Sequence, residues 1–241
     1  MDYLLEVRDL HKSFGALKAL DGVDFTLAPG EVAGVIGPNG SGKTTLFNLI
    51  CGELKAERGR VFWQGRDITG LPSFRICRLG LVKTDQVDHT FAEMSVKENV
   101  MLGAMFGAGK SQRQALRQAA EILELVGLSE LAAEPAASLN VPRRKRLGLA
   151  RALATAPAAI LLDENLAGLT PAEVSEALVM LKELNRQGVA LVMVEHVMQA
   201  ILGICQRVVV LDFGQKIAEG TPTQVVCEPM VLEAYLGERY A

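Results

Sequence analysis

The sequence predicts an α/β fold with three parts: a parallel-sheet core, an antiparallel β subdomain and a helical subdomain. Residues 37–44 read GPNGSGKT, a full match to the phosphate-binding loop G-x-x-x-x-G-K-[ST]. A short apolar stretch of strand type precedes this loop and a helix-like stretch follows it. The apolar run at 158–162 and the stretch Leu191–Glu195 suit parallel strands that helices cover on both faces.

Each residue type in the phosphate loop (residues 37–44) has a physical reason. Glycines let the backbone turn so that successive N–H groups point inward and form an anion site. The helix that follows adds free N–H groups and a dipole that favours negative charge. We expect Lys43 to reach the β- and γ-phosphates of a nucleotide and Thr44 to bind Mg²⁺. The expected nucleotide-binding residues are Gly37, Pro38, Asn39, Gly40, Ser41, Gly42, Lys43, Thr44 and Thr45.

Composition narrows the class of protein. The chain has 241 residues, of which 49% are hydrophobic, so one large domain or a core with a subdomain is expected. A net charge of −3 argues against nucleic acid as a partner. The four cysteines form no C-x-x-C pair, which suggests reduced thiols rather than a zinc or redox site. The N-terminus does not resemble a signal peptide. No apolar run approaches the length of about 20 residues that a membrane-spanning helix needs, so direct insertion into a membrane is not expected.

The pattern of residues 1 to about 70 predicts an antiparallel sheet beside the core. Strands are expected at Leu4–Val7 and Val23–Leu27, with a polar turn at 11–15 between them. Phe14 therefore lies in or beside a turn. It either stacks on a nucleotide base or packs as a partly buried aromatic.

A change of pattern predicts the subdomain boundaries. A short strand at 80–83 ends in polar residues, where Gln86 either positions water or Mg²⁺ or is a solvated loop residue. From 87 to 156 the patterns are helical. We expect residues 1–86 and 157–241 to form the core and the β subdomain, and residues 87–156 to form the helical subdomain.

Two later strands end in residues that carry chemistry. Asp163 and Glu164 follow the apolar run at 158–162, so they are expected beside the phosphate loop at the carboxyl edge of the sheet. Asp163 suits the water shell of Mg²⁺, and Glu164 suits a general base for an attacking water. His196 ends the next strand, where it either donates to a γ-phosphate or packs against the sheet.

These features, in this order, resemble the ATPase subunit of an ABC transporter. Further stretches are similar to the ATPase subunits of branched-chain amino acid importers, among them LARALATAP, AGLTPAE and VMVEHVMQAI. The resemblance implies a P-loop NTPase of the ABC ATPase fold, with ATP and Mg²⁺ as cofactors. It implies that Phe14 stacks on adenine, that Gln86 senses Mg²⁺ and the attacking water, and that His196 is the switch histidine. It further implies that Asp163 and Glu164 are the Walker B aspartate and the catalytic glutamate.

The resemblance also implies partners and a location. A second ATPase subunit would pair head to tail with this chain, on two transmembrane permease subunits and a periplasmic or extracellular substrate-binding protein. The chain would then lie at the cytoplasmic face of the inner membrane and power amino acid uptake. Urea or amide import, lipopolysaccharide export and a soluble ABC switch remain as alternatives. A small-molecule kinase would not need Gln86, the carboxylate pair and His196 together.

The chain departs from the family at two places. The family's signature LSGGQ aligns with residues 139–143, where Asn140, Val141 and Pro142 replace the serine and both glycines. Pro142 has no N–H to offer a partner's nucleotide, and the basic run Arg143–Arg146 follows it. In addition, Thr170 stands where the family has the D-loop aspartate, and Asn165 where proline is usual. These departures lead to the hypothesis of a heterodimer in which one of the two composite sites is weaker, with a homodimer as the alternative.

Overall fold

Two β-sheets and a group of helices make up the protein, and the computed structural model describes residues 3–84 and 90–236. The strands are β1 Leu5–Phe14, β2 Leu17–Leu27, β3 Val32–Ile36, β4 Arg58–Trp63, β5 Arg66–Asp67, β6 Leu81–Thr84, β7 Ala159–Asp163, β8 Ala190–Val194, β9 Arg207–Asp212 and β10 Gln215–Gly220. The helices are α1 Lys43–Ile50, α2 Ser73–Arg78, α3 Val96–Leu102, α4 Gln112–Leu125, α5 Val141–Ala154, α6 Pro171–Arg186, α7 Met198–Ile204, α8 Pro222–Val225 and α9 Pro229–Leu236. A π-helical turn at Gly103–Gly107 extends α3.

The larger sheet is the parallel core that the apolar runs predict. Its strand order is β10-β9-β3-β8-β7-β6, and every pair is parallel except β10 with β9. All residues of β3, β7 and β8 are buried. Since parallel neighbours end at the same edge, the loops after these three strands meet there.

Alternate residues of the core strands face two different clusters. Val32 and Ile36 of β3 belong to the cluster that includes α3–α7. Ala33 and Val35 belong to the cluster that includes α1 and the second sheet. This period of two residues buries both faces of β3, which explains its uninterrupted apolar sequence.

The second sheet is antiparallel, with strand order β2-β1-β4-β5, and it covers α1. One detail of the prediction is wrong, because residues 11–14 lie within β1 rather than in a turn. His11 is held there by two carboxylates: Nε2 lies 2.9 Å from Asp9 and Nδ1 3.3 Å from Asp21 of β2. The contact with Asp21 crosses from β1 to β2, and together with the backbone pairing of these strands it stabilises a polar stretch whose local sequence resembles a turn.

Helices α3, α4 and α5 pack together between β6 and β7 in the chain. In the described part of this segment, residues 90–156, the regular elements are helical, and the β contact there is an isolated bridge between Ser95 and Pro135. Capping boxes at Ser95 and Ser111 begin α3 and α4. No helix among the described residues is long and apolar enough to cross a membrane.

Candidate active site

The phosphate loop joins β3 to α1, and its glycines have the backbone geometry that only glycine adopts readily. Gly37, Gly40 and Gly42 have φ angles of 149°, 84° and 105°. A Cβ on Gly37 would lie 2.0 Å from the carbonyl oxygen of Leu211, so the loop packs directly on β9. Within the described chain, α1 has no side-chain cap and no acidic residue in its first turn. The loop therefore offers the helix N-terminus to an anion.

Lys43 turns its side chain back over the phosphate loop. Its Nζ donates to the carbonyl oxygens of Gly37 at 2.9 Å and Pro38 at 2.8 Å. Burial lowers the pKa of Lys43, while the charges of Glu164 and Asp163 oppose that change. The ammonium group thus lies near both carboxylates, and the end of β7 is beside the loop.

Asp163 and Glu164 differ in their surroundings. Asp163 is 2% exposed and pairs in register with Val194 of β8. Glu164 has a φ angle of 50°, and its N–H donates to the carbonyl oxygen of Val194 at 2.9 Å. A left-handed backbone costs a residue with a Cβ about 1–2 kcal/mol. Such strain at a loop edge is typical of functional positions, so Glu164 is a candidate for one.

His196 meets Glu164 across the ends of β8 and β7. Its Nε2 lies 3.1 Å from Oε1 of Glu164. Because a carboxylate only accepts hydrogen bonds, Nε2 is the donor. The side chain of His196 is 42% exposed and that of Glu164 is 20% exposed, so both can contact a ligand at this edge of the sheet. The structure therefore brings together two residues that the sequence placed separately at strand ends.

The other expected site residues occupy different positions. Phe14 is 49% exposed at the end of β1, with Nζ of Lys12 5.4 Å from its ring centroid. Thr44 is exposed in the first turn of α1, and Thr45 beside it is half-buried. Gln86 lies outside the described residues.

Asn140 caps helix α5 in the region that aligns with the signature. Its Oδ1 accepts the N–H of Arg143 at 3.2 Å, and Pro142 follows within the first turn. Val141 is 44% exposed beside the cap. Helix α5 therefore starts within the aligned signature, and its backbone has no N–H at Pro142.

The basic run after the cap is only partly a solvated face. Nζ of Lys145 donates to the carbonyl oxygen of Glu164 at 3.4 Å. The guanidinium of Arg146 pairs with Glu176 of α6 at 2.5 Å. Two of the basic side chains thus tie α5 to its neighbours, and one of them contacts the Glu164 backbone.

Sequence reasoning missed Glu195 as a site residue. It counted this residue as the end of a buried strand, whereas β8 ends at Val194 and Glu195 lies in the loop before His196. The carboxylate is 2% exposed, and Oε1 accepts the N–H of Leu166 at 2.8 Å. Burial raises the pKa of Glu195 to about 7. A glutamate directly after an apolar strand, beside the candidate histidine, was the signal that could have drawn attention to it.

Comparison with known proteins identifies the family. A family model described as "ABC transporter" matches residues 20–167. This chain belongs to the ABC transporter ATP-binding family. A second model, described as "Branched-chain amino acid ATP-binding cassette transporter", matches residues 215–241 of this ABC ATPase. The expected family and the expected ATPase activity are thereby confirmed.

Relatives match the ABC ATPase over nearly its full length. The branched-chain amino acid transport ATP-binding protein LivG of Escherichia coli K12 is 38% identical, with 98% of each chain covered. The corresponding protein BraF of Pseudomonas aeruginosa is 37% identical over the same share. The lipopolysaccharide export ATP-binding protein LptB of Acidithiobacillus ferridurans is 35% identical and covers 100% of this chain and 99% of its own.

Solved structures confirm the fold of the ABC ATPase. A nucleotide-free ATP-binding cassette of an ABC transporter superposes with a TM-score of 0.89 at 34% identity, covering 99% of this chain and 100% of that one. The ADP conformation of MJ1267, an ATP-binding cassette of an ABC transporter, superposes with a TM-score of 0.87 at the same identity and coverage. The expected ABC ATPase fold, with its P-loop core, is correct.

Proposed function

We propose that this ABC ATPase is the ATP-binding and ATP-hydrolysing subunit of an importer for branched-chain or other amino acids. The observation that carries the proposal is full-length similarity to LivG and BraF, whose names describe high-affinity branched-chain amino acid transport. The matched C-terminal segment at 215–241 supports the same subfamily. In such a system the chain acts at the cytoplasmic face of the inner membrane, together with permeases and a periplasmic or extracellular substrate-binding protein.

In this proposal the phosphate loop holds ATP and the residues beside it hold Mg²⁺. Lys43 binds the phosphates, and the exposed ring of Phe14 stacks on adenine. The hydroxyl of Thr44 and the carboxylate of Asp163, acting through water, are hard oxygen donors of the kind that Mg²⁺ prefers, and Gln86 would add another. Bound Mg²⁺ would neutralise charge on the phosphate oxygens.

Hydrolysis is then carried by the pair at the ends of β7 and β8. Glu164 accepts a proton from water as the water oxygen attacks the γ-phosphorus, and the bond from that phosphorus to ADP breaks. His196 donates to Glu164 in this structure, which orients the carboxylate. The strained backbone of Glu164 is the structural support for its role.

Lipopolysaccharide export is a second candidate, because LptB is 35% identical over the whole length of both chains. Disrupting the gene in its host separates the two. Loss of uptake of labelled leucine, isoleucine and valine supports the importer. Unchanged uptake combined with loss of lipopolysaccharide from the cell surface would support export instead.

For the permease contact we propose a groove that is lined by helix α2, strand β6, the end of α3 with its π-helical turn, and helix α5. The groove has a volume of about 690 Å³, and three of its lining rings, those of Phe74, Phe91 and Phe106, are 50–66% exposed. Its lining includes Thr84 and Asn165, and the side-chain amide of Asn165 donates to Oγ1 of Thr84 at 2.8 Å. Because Asn165 directly follows Glu164, a permease helix seated in this groove would be coupled to hydrolysis.

Replacing Phe106 with aspartate is expected to weaken permease binding at least about tenfold, because a charge would be desolvated at the interface. ATP binding by the isolated subunit should stay unchanged. Val179→Asp on α6 is the control, since Val179 is 69% exposed but lies outside the groove. Copurification of the permeases with each variant measures the effect. Equal loss in both variants would contradict the groove.

The second ATPase subunit is proposed to be a different chain. The capped and proline-containing start of α5 offers a partner's ATP fewer backbone donors than a Ser-Gly-Gly sequence would. Two copies of this chain would therefore form two poor composite sites. A partner with a complete signature would supply one good site, at the phosphate loop of this chain.

Restoring the signature is expected to raise cooperative ATP turnover by the chain alone at least about tenfold, since one transition-state donor is worth about that much or more. The variant carries Asn140→Ser, Val141→Gly and Pro142→Gly, and Asn140→Ser alone is the control that keeps a good helix cap. Steady-state rates are measured against subunit concentration. Strong cooperative turnover by the unmodified chain would refute the heterodimer.

A further inference from the structure

The loop after β7 is fixed to its surroundings at three consecutive residues. The N–H of Glu164 donates to the carbonyl oxygen of Val194 at 2.9 Å. The side chain of Asn165 donates to Thr84 at 2.8 Å, and the N–H of Leu166 donates to Glu195 at 2.8 Å. These bonds restrain the strained backbone of Glu164 from both sides.

Glu195 supplies the bond that restrains the loop beyond Glu164. Its side chain is almost fully buried, and a buried carboxyl group costs free energy unless hydrogen bonds satisfy it. The N–H groups of Leu166 and Asn165 both interact with it. The carboxyl group is thus placed to accept from the two residues that follow Glu164.

We propose that Glu195 is a positioning residue that holds the Glu164 loop, by accepting the N–H of Leu166, in the conformation where Glu164 meets His196. The inference rests on the proposed role of Glu164 in ATP hydrolysis. Glu195 does not touch the reacting atoms and acts only through the loop. Without this acceptor, Glu164 is free to relax from its left-handed backbone, and its contact with His196 loosens.

Charged and titratable groups from four elements surround Glu195. Burial raises its pKa to about 7, with a further contribution from the charge of Glu164. The N–H groups of the loop and the charge of Lys145 on α5 oppose the change. His196 follows Glu195 in the chain, and Cys205 after α7 faces it as a thiol whose pKa burial raises to about 12.

The raised pKa of Glu195 makes the stability of the folded protein depend on pH. Between pH 4.5 and 7 the folded protein keeps a proton on Glu195 that the unfolded chain has already lost. The folded state then binds more protons than the unfolded state, so this residue makes stability fall as pH rises through that window. Glu195→Gln removes the titration but keeps an oxygen that accepts the N–H of Leu166.

The test compares three variants of the full chain in the assembly that turns over ATP. Glu195→Met fills the buried space without an acceptor, and we expect kcat to fall about 10- to 100-fold with KM for ATP changed less than about threefold. Glu195→Gln is expected to retain kcat within about threefold and to lose the pH-dependent fall in melting temperature. Glu98→Gln is the matched control, because Glu98 accepts the backbone N–H of Ser95 at 2.8 Å in the capping box of α3, outside the Glu164 loop.

Hydrogen exchange of the Leu166 backbone N–H tests its bond to Glu195 without requiring ATP turnover. Exchange is expected to be at least about tenfold faster in Glu195→Met than in the wild type and Glu195→Gln. If the wild type did not hydrolyse ATP, the proposed function would fail while this measurement still reported on the loop. Normal kcat or unchanged Leu166 exchange in Glu195→Met would overturn the inference. If Glu195→Met does not fold, Glu195→Asp replaces it, because the shorter side chain withdraws the acceptor by one methylene. We expect the same fall in kcat and the same faster exchange at Leu166. A normal kcat in Glu195→Asp would overturn the inference.

Discussion

Glu164→Gln is expected to keep ATP affinity and to reduce steady-state turnover by about 10²- to 10⁴-fold, the usual contribution of a general base. Glutamine has nearly the same shape, and its amide oxygen still accepts from Nε2 of His196. An amide cannot take a proton from the attacking water. Phosphate release at saturating ATP, together with equilibrium titration of a nucleotide, measures the two effects separately.

The control for that experiment is Glu183→Gln, on the exposed surface of α6. It changes the net charge by the same amount without touching the site, so its turnover should equal that of the wild type. If Glu164→Gln turned over ATP at the wild-type rate, Glu164 would not be the base. If it lost ATP affinity as well, its role would be in binding.

Gly37→Ala is expected to lower the free energy of unfolding by about 3 kcal/mol or more and to abolish nucleotide binding. Its φ angle of 149° is unfavourable for alanine, and the new methyl group would lie 2.0 Å from the carbonyl oxygen of Leu211. Because that oxygen belongs to β9 in the core sheet, it cannot move away without distorting the sheet. Urea unfolding and nucleotide titration measure the two losses.

Gly30→Ala is the matched control for this substitution. Gly30 also has a positive φ angle, 68°, but a methyl group there would meet no atom within 4 Å. Its cost is the backbone strain alone, about 1–2 kcal/mol, and nucleotide binding should be unchanged. Equal destabilisation in the two variants would show that strain, and not contact with β9, decides the effect at Gly37.

The sequence predicted the parts of the site that depend on local rules. Glycines at fixed spacing specify the phosphate loop, and alternating burial on a covered sheet explains why the strands before Asp163 and His196 are apolar. Parallel strands end at one edge, so Glu164 and His196 were expected at that edge, and the neighbouring positions of β7 and β8 in the structure bring them into contact. The roles of these residues in the reaction stay predictions.

The parts that were missed depend on contacts between distant residues. Residues 11–14 have a turn-like composition, and their pairing with β2, which includes the contact of His11 with Asp21, makes them extended. Glu195 belongs to the site because it binds the N–H of Leu166, which lies 29 residues away in the chain. Helix α2 was also missed, because it is only six residues long and has no side-chain cap among the described residues. Local patterns carry no information on such partners.

The cap on α5 also determines what Asn140 presents outside its own helix. Its amide oxygen is engaged with the N–H of Arg143, so the side chain is held at one end. The amide nitrogen is a separate group that carries two hydrogens, and the cap fixes the direction in which it can donate. A pinned amide has lost its rotational freedom before any encounter, so a contact it makes with another subunit costs less entropy than one made by a side chain that is still free to rotate.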